Sequence, residues 1–206
     1  MYLPVMLAIE DKKIVIIGGG KVALHKAEKL IYFGGRVTII SPEFVDEFYQ
    51  LKQVQLVQGT YEKSLINSAF LVIVATSDRL LNAKIHEDCK EQNILCNVVD
   101  DKEQSEIIFP ASLKRGELII SASTLGNSPL LAKKVIKDLE KVYDESYEEI
   151  VYLLGEIRKE LLKMDISKVQ KSKYLSHIIL LDEEKLKEFL AMLHEGRLCT
   201  DDKEQF

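Results

Sequence analysis

The sequence predicts an α/β fold, a doubly wound parallel sheet, followed by a small α+β segment and a C-terminal helical domain. Three observations predict it. Short aliphatic runs alternate with helical patterns over the first hundred residues. A triple glycine joins the first such run to the first helix. After about residue 105 the alternation stops and long amphipathic stretches take over.

The elements follow in order. Residues 13–17 (KIVII) form a short apolar run of the kind buried on both faces of a sheet. Residues 21–33 place Val22, Ala23, Ala27, Leu30, Ile31 and Phe33 at helical spacing, and Gly34-Gly35 ends the helix. Strands are expected at 36–40, 54–57, 70–75 and 94–99, with a helix over 78–92 capped by Asp78. Strands joined through helices in this way pair in parallel with right-handed crossovers. Residues 107–123 read as extended structure turning at Arg115-Gly116. The stretch from Gly126 to Met164 reads as helical for most of its length, with Asn127 or Ser128 as cap and Pro129 in its first turn. A last amphipathic helix is expected over 182–194, capped by Asp182. The expected domains are 1–110 (cofactor binding), 111–142 (dimerisation) and 143–206 (helical).

Composition narrows the function. The 206 residues carry a net charge of −5, which disfavours a nucleic-acid partner, since phosphate binding needs a basic face. No apolar stretch approaches the ~18 residues of a membrane span. The N-terminus lacks the pattern of a signal peptide. The three cysteines, Cys89, Cys96 and Cys199, show no CxxC spacing and are expected as reduced thiols in a cytoplasm. His86-x-x-Cys89 stands at i, i+3 on a helix without a second pair, so no metal site is expected.

Gly18-Gly19-Gly20-Lys21-Val22-Ala23 fits the GxGxxG/A dinucleotide pattern, directly after a predicted strand and at the start of a predicted helix. Gly18 permits the turn, Gly20 lets the backbone approach a pyrophosphate, and Ala23 lets the helix pack on the strand. The helix N-terminus then offers amides and positive partial charge. The second strand ends Ile40-Ser41-Pro42-Glu43, with no Arg to meet a 2′-phosphate, which favours NAD over NADP. Asn97 and Asp100 fall at the C-terminal end of the fifth strand, the edge where such sheets bind ligands. A carboxylate there can accept a proton while hydride leaves for the cofactor; a turn or helix-cap carboxylate is the other reading of Asp100.

Ala75-Thr76-Ser77-Asp78, Asn97-Val98-Val99-Asp100-Asp101, Phe109-Pro110-Ala111, Arg115-Gly116 and Ser123-Thr124-Leu125-Gly126-Asn127-Ser128-Pro129 follow the glycine turn in order. Over residues 1 to about 140 this series resembles the precorrin-2 dehydrogenase family, which includes the N-terminal module of bacterial sirohaem synthase. The resemblance implies NAD-dependent oxidation of precorrin-2 to sirohydrochlorin, in some members iron (Fe2+) insertion, and a homodimer. It implies Asp100 as the catalytic residue. It implies cofactor contacts on the glycine turn (Gly18 and Gly20) with Lys21 and Val22, and on Pro42 and Glu43; Ser41, Thr76 and Asn97 are expected to bind the cofactor beside them. Substrate contacts are expected at Arg115, Ser123, Thr124, Asn127 and Ser128, near the helix beginning at Pro129. Two departures stand out: His25 where Arg is common, and Thr124-Leu125-Gly126-Asn127 in place of a more glycine- and serine-rich run. A non-catalytic NAD(H)-binding regulatory module explains residues 12–41 equally well, but not Asn97–Asp101 or Ser123–Pro129. A degenerate member that only binds tetrapyrrole is the third reading.

Overall fold

The computed structural model describes residues 2–99 and 101–197. The chain forms two compact units, residues 1–109 and 110–206.

In the first unit five parallel strands, β1 (Ile14–Ile17), β2 (Val37–Ser41), β3 (Val54–Gln58), β4 (Leu71–Val74) and β5 (Leu95–Val98), take the order β3-β2-β1-β4-β5. The order reverses at β1, so the crevice at the C-terminal end of β1 is the switch point where such sheets place a ligand. Helix α1 (Lys21–Tyr32) joins β1 to β2, and α2 (Arg79–Glu91) joins β4 to β5. The central strands β1 and β4 are buried at every residue. Their side chains alternate between two cores. Ile14, Ile16, Leu71 and Ile73 pack with Ala23, Ala27 and Leu30 of α1. Val15, Ile17, Val72 and Val74 pack with Ile85 and Cys89 of α2. This two-faced burial is why the strands read as continuous aliphatic runs. Two short 3₁₀ turns, Asp46–Gln50 and Lys63–Ile66, were not predicted; each tucks one apolar side chain, Phe48 and Ile66, wholly into a core.

The edge of β5 is closed without a further strand. The chain folds back after it, and Glu106 and Ile107 donate their amides to the Cys96 carbonyl at 3.0 and 3.3 Å. Cys96 N donates to the Glu106 carboxylate at 3.1 Å, and Val98 N to Ser105 Oγ at 2.9 Å. Backbone groups that would otherwise invite another strand are thereby satisfied.

In the second unit β6 (Ala111–Arg115) and β7 (Leu118–Ala122) form an antiparallel hairpin in which Arg115 faces Leu118. The turn is Gly116-Glu117, with Gly116 at φ +55, as a glycine-first two-residue turn requires. Helix α3 (Pro129–Leu139) packs on both strands of the hairpin. Helices α4 (Tyr147–Lys163), α5 (Lys168–Ile178) and α6 (Glu183–His194) share a core of Leu153, Ile157, Leu161, Ile178, Leu186 and Phe189.

Two features go beyond the expectations. The helical stretch from Gly126 is two helices, because Asp144 accepts from the amide and hydroxyl of Ser146 at 3.0 and 2.6 Å and turns the chain before Tyr147. Helix α5 was not foreseen; Ser167 and Gln170 form a reciprocal capping box at its start. No helix among the described residues is long and apolar enough to cross a membrane.

Candidate active site

The glycine turn sits at the switch point, and each glycine does something different. Gly18 lies at φ +127, and a Cβ there would fall 2.4 Å from the Ala75 carbonyl oxygen. Its amide donates to Ile40 O at 2.9 Å, so the turn is wedged between the ends of β2 and β4. Gly19 is the most tightly confined: a Cβ would fall 1.9 Å from the Glu43 carbonyl oxygen and 2.7 Å from Ser41 Oγ. The Val45 amide donates to Gly19 O at 2.9 Å, so the loop after β2 is fastened onto this residue. The motif reading passed over Gly19 because its constraint is a contact made 24 positions along the chain.

Gly20 is the reverse case. It is exposed, its backbone is extended at φ −88 and ψ −178, and a Cβ would meet nothing within 4 Å among the described residues. The fold does not need a glycine there, and the space leaves room for a ligand to lie on the backbone. Gly20 is also the N-cap of α1, and no side chain among the described residues bonds to the amides of that first turn. Helices α2, α3, α5 and α6 all carry side-chain caps, from Asp78, Ser128, Ser167 and Asp182. The uncapped amides and positive dipole end of α1 suit a pyrophosphate. Lys21 and Val22 are exposed beside it. These residues fit a dinucleotide.

The other expected cofactor residues occupy the same edge. Ser41 closes β2 and is buried, its carbonyl accepting from Gly59 N at 3.0 Å. Pro42 O accepts from Gln58 Nε2 at 3.1 Å, and Glu43 is exposed past it. Thr76 is engaged internally: its hydroxyl lies 2.5 Å from Asn82 Oδ1 and accepts from the Asp78 amide at 3.1 Å. Asn97 is buried, donating to Ile107 O at 3.0 Å, while its Oδ1 has no hydrogen-bond partner among the described residues.

Asp100 lies outside the described residues. The backbone on either side is placed: Val99 N donates to Val74 O at 2.9 Å, and Asp101 N donates to Val98 O at 3.2 Å. Asp101 is a turn carboxylate, accepting from the amides of Glu103 and Gln104 at 3.0 and 3.1 Å.

The expected substrate residues lie in the second unit. Thr124 to Asn127 make a tight turn closed by Asn127 N to Thr124 O at 3.0 Å. Leu125 and Gly126 there take φ +52 and +87. A leucine in that conformation is strained, unlike a glycine. Ser123 Oγ accepts from Leu125 N, Thr124 Oγ1 from Ser128 N, and Ser128 Oγ from Leu131 N, at 3.1, 2.9 and 3.3 Å. Arg115 donates from Nη1 to Lys114 O at 3.1 Å, and its buried Nε has no partner among the described residues.

His86 and Cys89 meet different neighbours. His86 Nε2 lies 3.2 Å from Glu106 Oε1, and Cys89 is buried as a free thiol. The nearby Cys89 and burial push the thiol of Cys96 up, keeping it protonated. Among the described residues no three His, Cys, Asp or Glu side chains gather as a metal site. A groove of about 690 Å3, lined by Lys13, Arg36 and Lys52, opens at the N-terminal ends of β1, β2 and β3, the edge opposite the glycine turn.

Residues 5–111 match a family model described as "Putative NAD(P)-binding", about half of the chain. A siroheme synthase of Photorhabdus laumondii is 31% identical over 163 residues, 78% of this chain and 35% of that protein. A siroheme synthase of Psychrobacter sp. is 34% identical over 161 residues, 77% of this chain and 33% of that protein. The chain thus spans about a third of the length of these relatives. A solved structure, "SirC, precorrin-2 dehydrogenase", aligns with a TM-score of 0.77 at 29% identity, covering 95% of this chain and 100% of that one. The predicted fold class and NAD as cofactor are borne out, and so is the resemblance read from the motifs. The chain belongs to the family whose model is described as putative NAD(P)-binding, matched over the glycine turn and all five parallel strands, and it is similar to the siroheme synthases and the precorrin-2 dehydrogenase above.

Proposed function

We propose that the chain is an NAD-dependent precorrin-2 dehydrogenase that forms sirohydrochlorin. The observation that carries the reading is the alignment over the full length of "SirC, precorrin-2 dehydrogenase", with the glycine turn and Asn97–Val99 both at the sheet's ligand edge. When bound, NAD accepts the hydride. The α1 amides and Gly20 hold the pyrophosphate, and Ser41, Pro42 and Glu43 bound the ribose side. The lack of a basic residue from Ser41 to Glu47 selects NAD over NADP. Asp100, next after β5 and Val99, takes the proton that leaves as hydride departs, so the substrate loses two hydrogens and two electrons in all. If iron is a second substrate, the same carboxylate receives the pyrrole protons.

The acidic macrocycle would meet Arg115, whose guanidinium can grip a carboxylate in a fork, and the Ser123–Ser128 turn ahead of α3. Residues 111–142 serve as the dimerisation segment and 143–206 as a separate helical domain in this proposal. Leu130, Leu131 and Val135 on α3 are 79%, 50% and 39% exposed, an apolar stripe that a second copy would cover. Free thiols at Cys89 and Cys96 and a soluble cofactor agree with a cytoplasmic enzyme; Cys199 lies outside the described residues. Incubation of the pure chain with NAD and precorrin-2 tests the reading. Growth of NADH absorbance supports it; NAD binding without turnover identifies a regulatory module instead.

A further inference from the structure

The segment after β5 is held by two hydroxyls that no cofactor or substrate contact uses. Ser105 is buried. Its Oγ accepts from Val98 N at 2.9 Å and lies 3.1 Å from Val98 O and 2.7 Å from Asp101 O. Asn97 Nδ2 approaches it at 3.5 Å. Val98 and Asp101 are the first and last residues of the turn closed by Asp101 N to Val98 O. Ser105 therefore grips the backbone at Val98 and at Asp101, described residues before and after position 100 in the sequence.

The second hydroxyl comes from the far end of the chain. Tyr2 OH lies 2.9 Å from Lys102 O and 2.8 Å from Ser105 O, contacts spanning 100 and 103 residues of sequence. The Lys102 ammonium lies 5.8 Å from the centre of the Tyr2 ring, a cation–π contact that adds to the hold. One hydroxyl proton serves two carbonyls, both on the segment that Ser105 pins from within. The N-terminal arm is thus fastened to the loop carrying the proposed base rather than merely lying on the surface.

We infer that Ser105 and Tyr2 are positioning residues for the dehydrogenation, fixing the backbone on both sides of Asp100 from within and from without. The inference rests on the functional reading above. Its physical basis is that a general base works only within hydrogen-bond reach of its proton, so a displaced backbone costs rate without weakening a cofactor bound at the glycine turn.

The test compares Ser105→Ala and Tyr2→Phe with the wild-type chain, with NAD and precorrin-2 as ligands. Measured are kcat, KM for precorrin-2, Kd for NAD and melting temperature. Ser105→Ala is expected to lower kcat by about 10²-fold and Tyr2→Phe by about 3–10-fold, the scale of a small misplacement of a reacting group. The Kd for NAD should stay within about twofold in both. A folded Ser105→Ala with wild-type kcat overturns the inference. So does a loss of rate that tracks equal losses of NAD affinity and melting temperature, which marks a structural role. Should Ser105→Ala not fold, Tyr2→Phe, which removes one oxygen from a half-buried side chain, decides: unchanged kcat overturns the inference. A wild-type chain that binds NAD and never reduces it overturns the functional reading itself, a result distinct from equal rates in active variants.

Discussion

Gly19 and Gly20 are neighbours with opposite dependences. A Cβ on Gly19 would sit 1.9 Å from a backbone oxygen, which no side-chain rotation relieves. Gly19→Ala should lower stability by about 1–3 kcal/mol or more with no ligand present, measured by denaturant unfolding. Gly20 has open space around its Cβ position. Gly20→Val should leave the midpoint nearly unchanged and greatly weaken NAD binding by calorimetry; unchanged affinity would remove the pyrophosphate from this site. The motif pattern makes Gly18 and Gly20 legible, since their roles are local to the turn. Gly19 was not, because its constraint comes from the loop after β2. Asp101 is a further single-residue case. Asp101→Asn keeps Oδ1 as acceptor for the amides of Glu103 and Gln104, so its effect on turnover should be small. A larger loss there than in Asp100→Asn would move the base to the neighbouring position.

At the scale of elements, the strands were readable because burial on both faces leaves aliphatic residues and little else. The break between α3 and α4 was less so, since a turn closed by Asp144 and Ser146 looks like two polar positions in an otherwise helical rhythm. Helix α5 lacks a clean apolar stripe, with Val169 exposed and Ile178 its buried residue, and the one signal that could have found it, the capping pair Ser167-x-x-Gln170, was passed over. Helix α2 is bolted to the turn before β4 by polar contacts that no pattern revealed. Tyr61 donates to Asp88 at 2.9 Å, and Lys63 pairs with Asp88 at 3.0 Å. Burial pushes the Asp88 carboxyl up, but the bonds from Lys63 and Tyr61 outweigh it and hold it below the usual carboxylate range. A depressed folded-state value means the bolt stabilises fully above the unfolded pKa and is lost as pH falls through the folded one. Wild-type stability should therefore decline in acid from about pH 4 downward, more steeply than that of Asp88→Asn, in urea titrations at stepped pH. Parallel curves would show that Asp88 does not titrate as the bolt requires.

At the scale of the whole molecule, charge and composition argued against some partners more readily than they named one. The glycine turn pointed to a dinucleotide, but the choice of substrate came from the ordered series of short motifs, which physics alone does not decode. The proposed substrate residues in the second unit were legible only as part of that series. In the structure Ser123, Thr124 and Ser128 spend their hydroxyls on the turn before α3, so their first role is to shape it. The apolar stripe of Leu130, Leu131 and Val135 leads us to expect a dimer at micromolar concentration by light scattering; a monomer would contradict it. The central claim is that this chain oxidises precorrin-2 with NAD and that Asp100 takes the proton. The most direct measurement follows NADH formation anaerobically for the wild type and Asp100→Asn, each shown beforehand to bind NAD. The account predicts steady NADH production by the wild type and a rate about 10²–10⁴-fold lower in the variant at undiminished NAD affinity. Wild-type protein that binds NAD without forming NADH, or a variant that turns over at the wild-type rate, would contradict it.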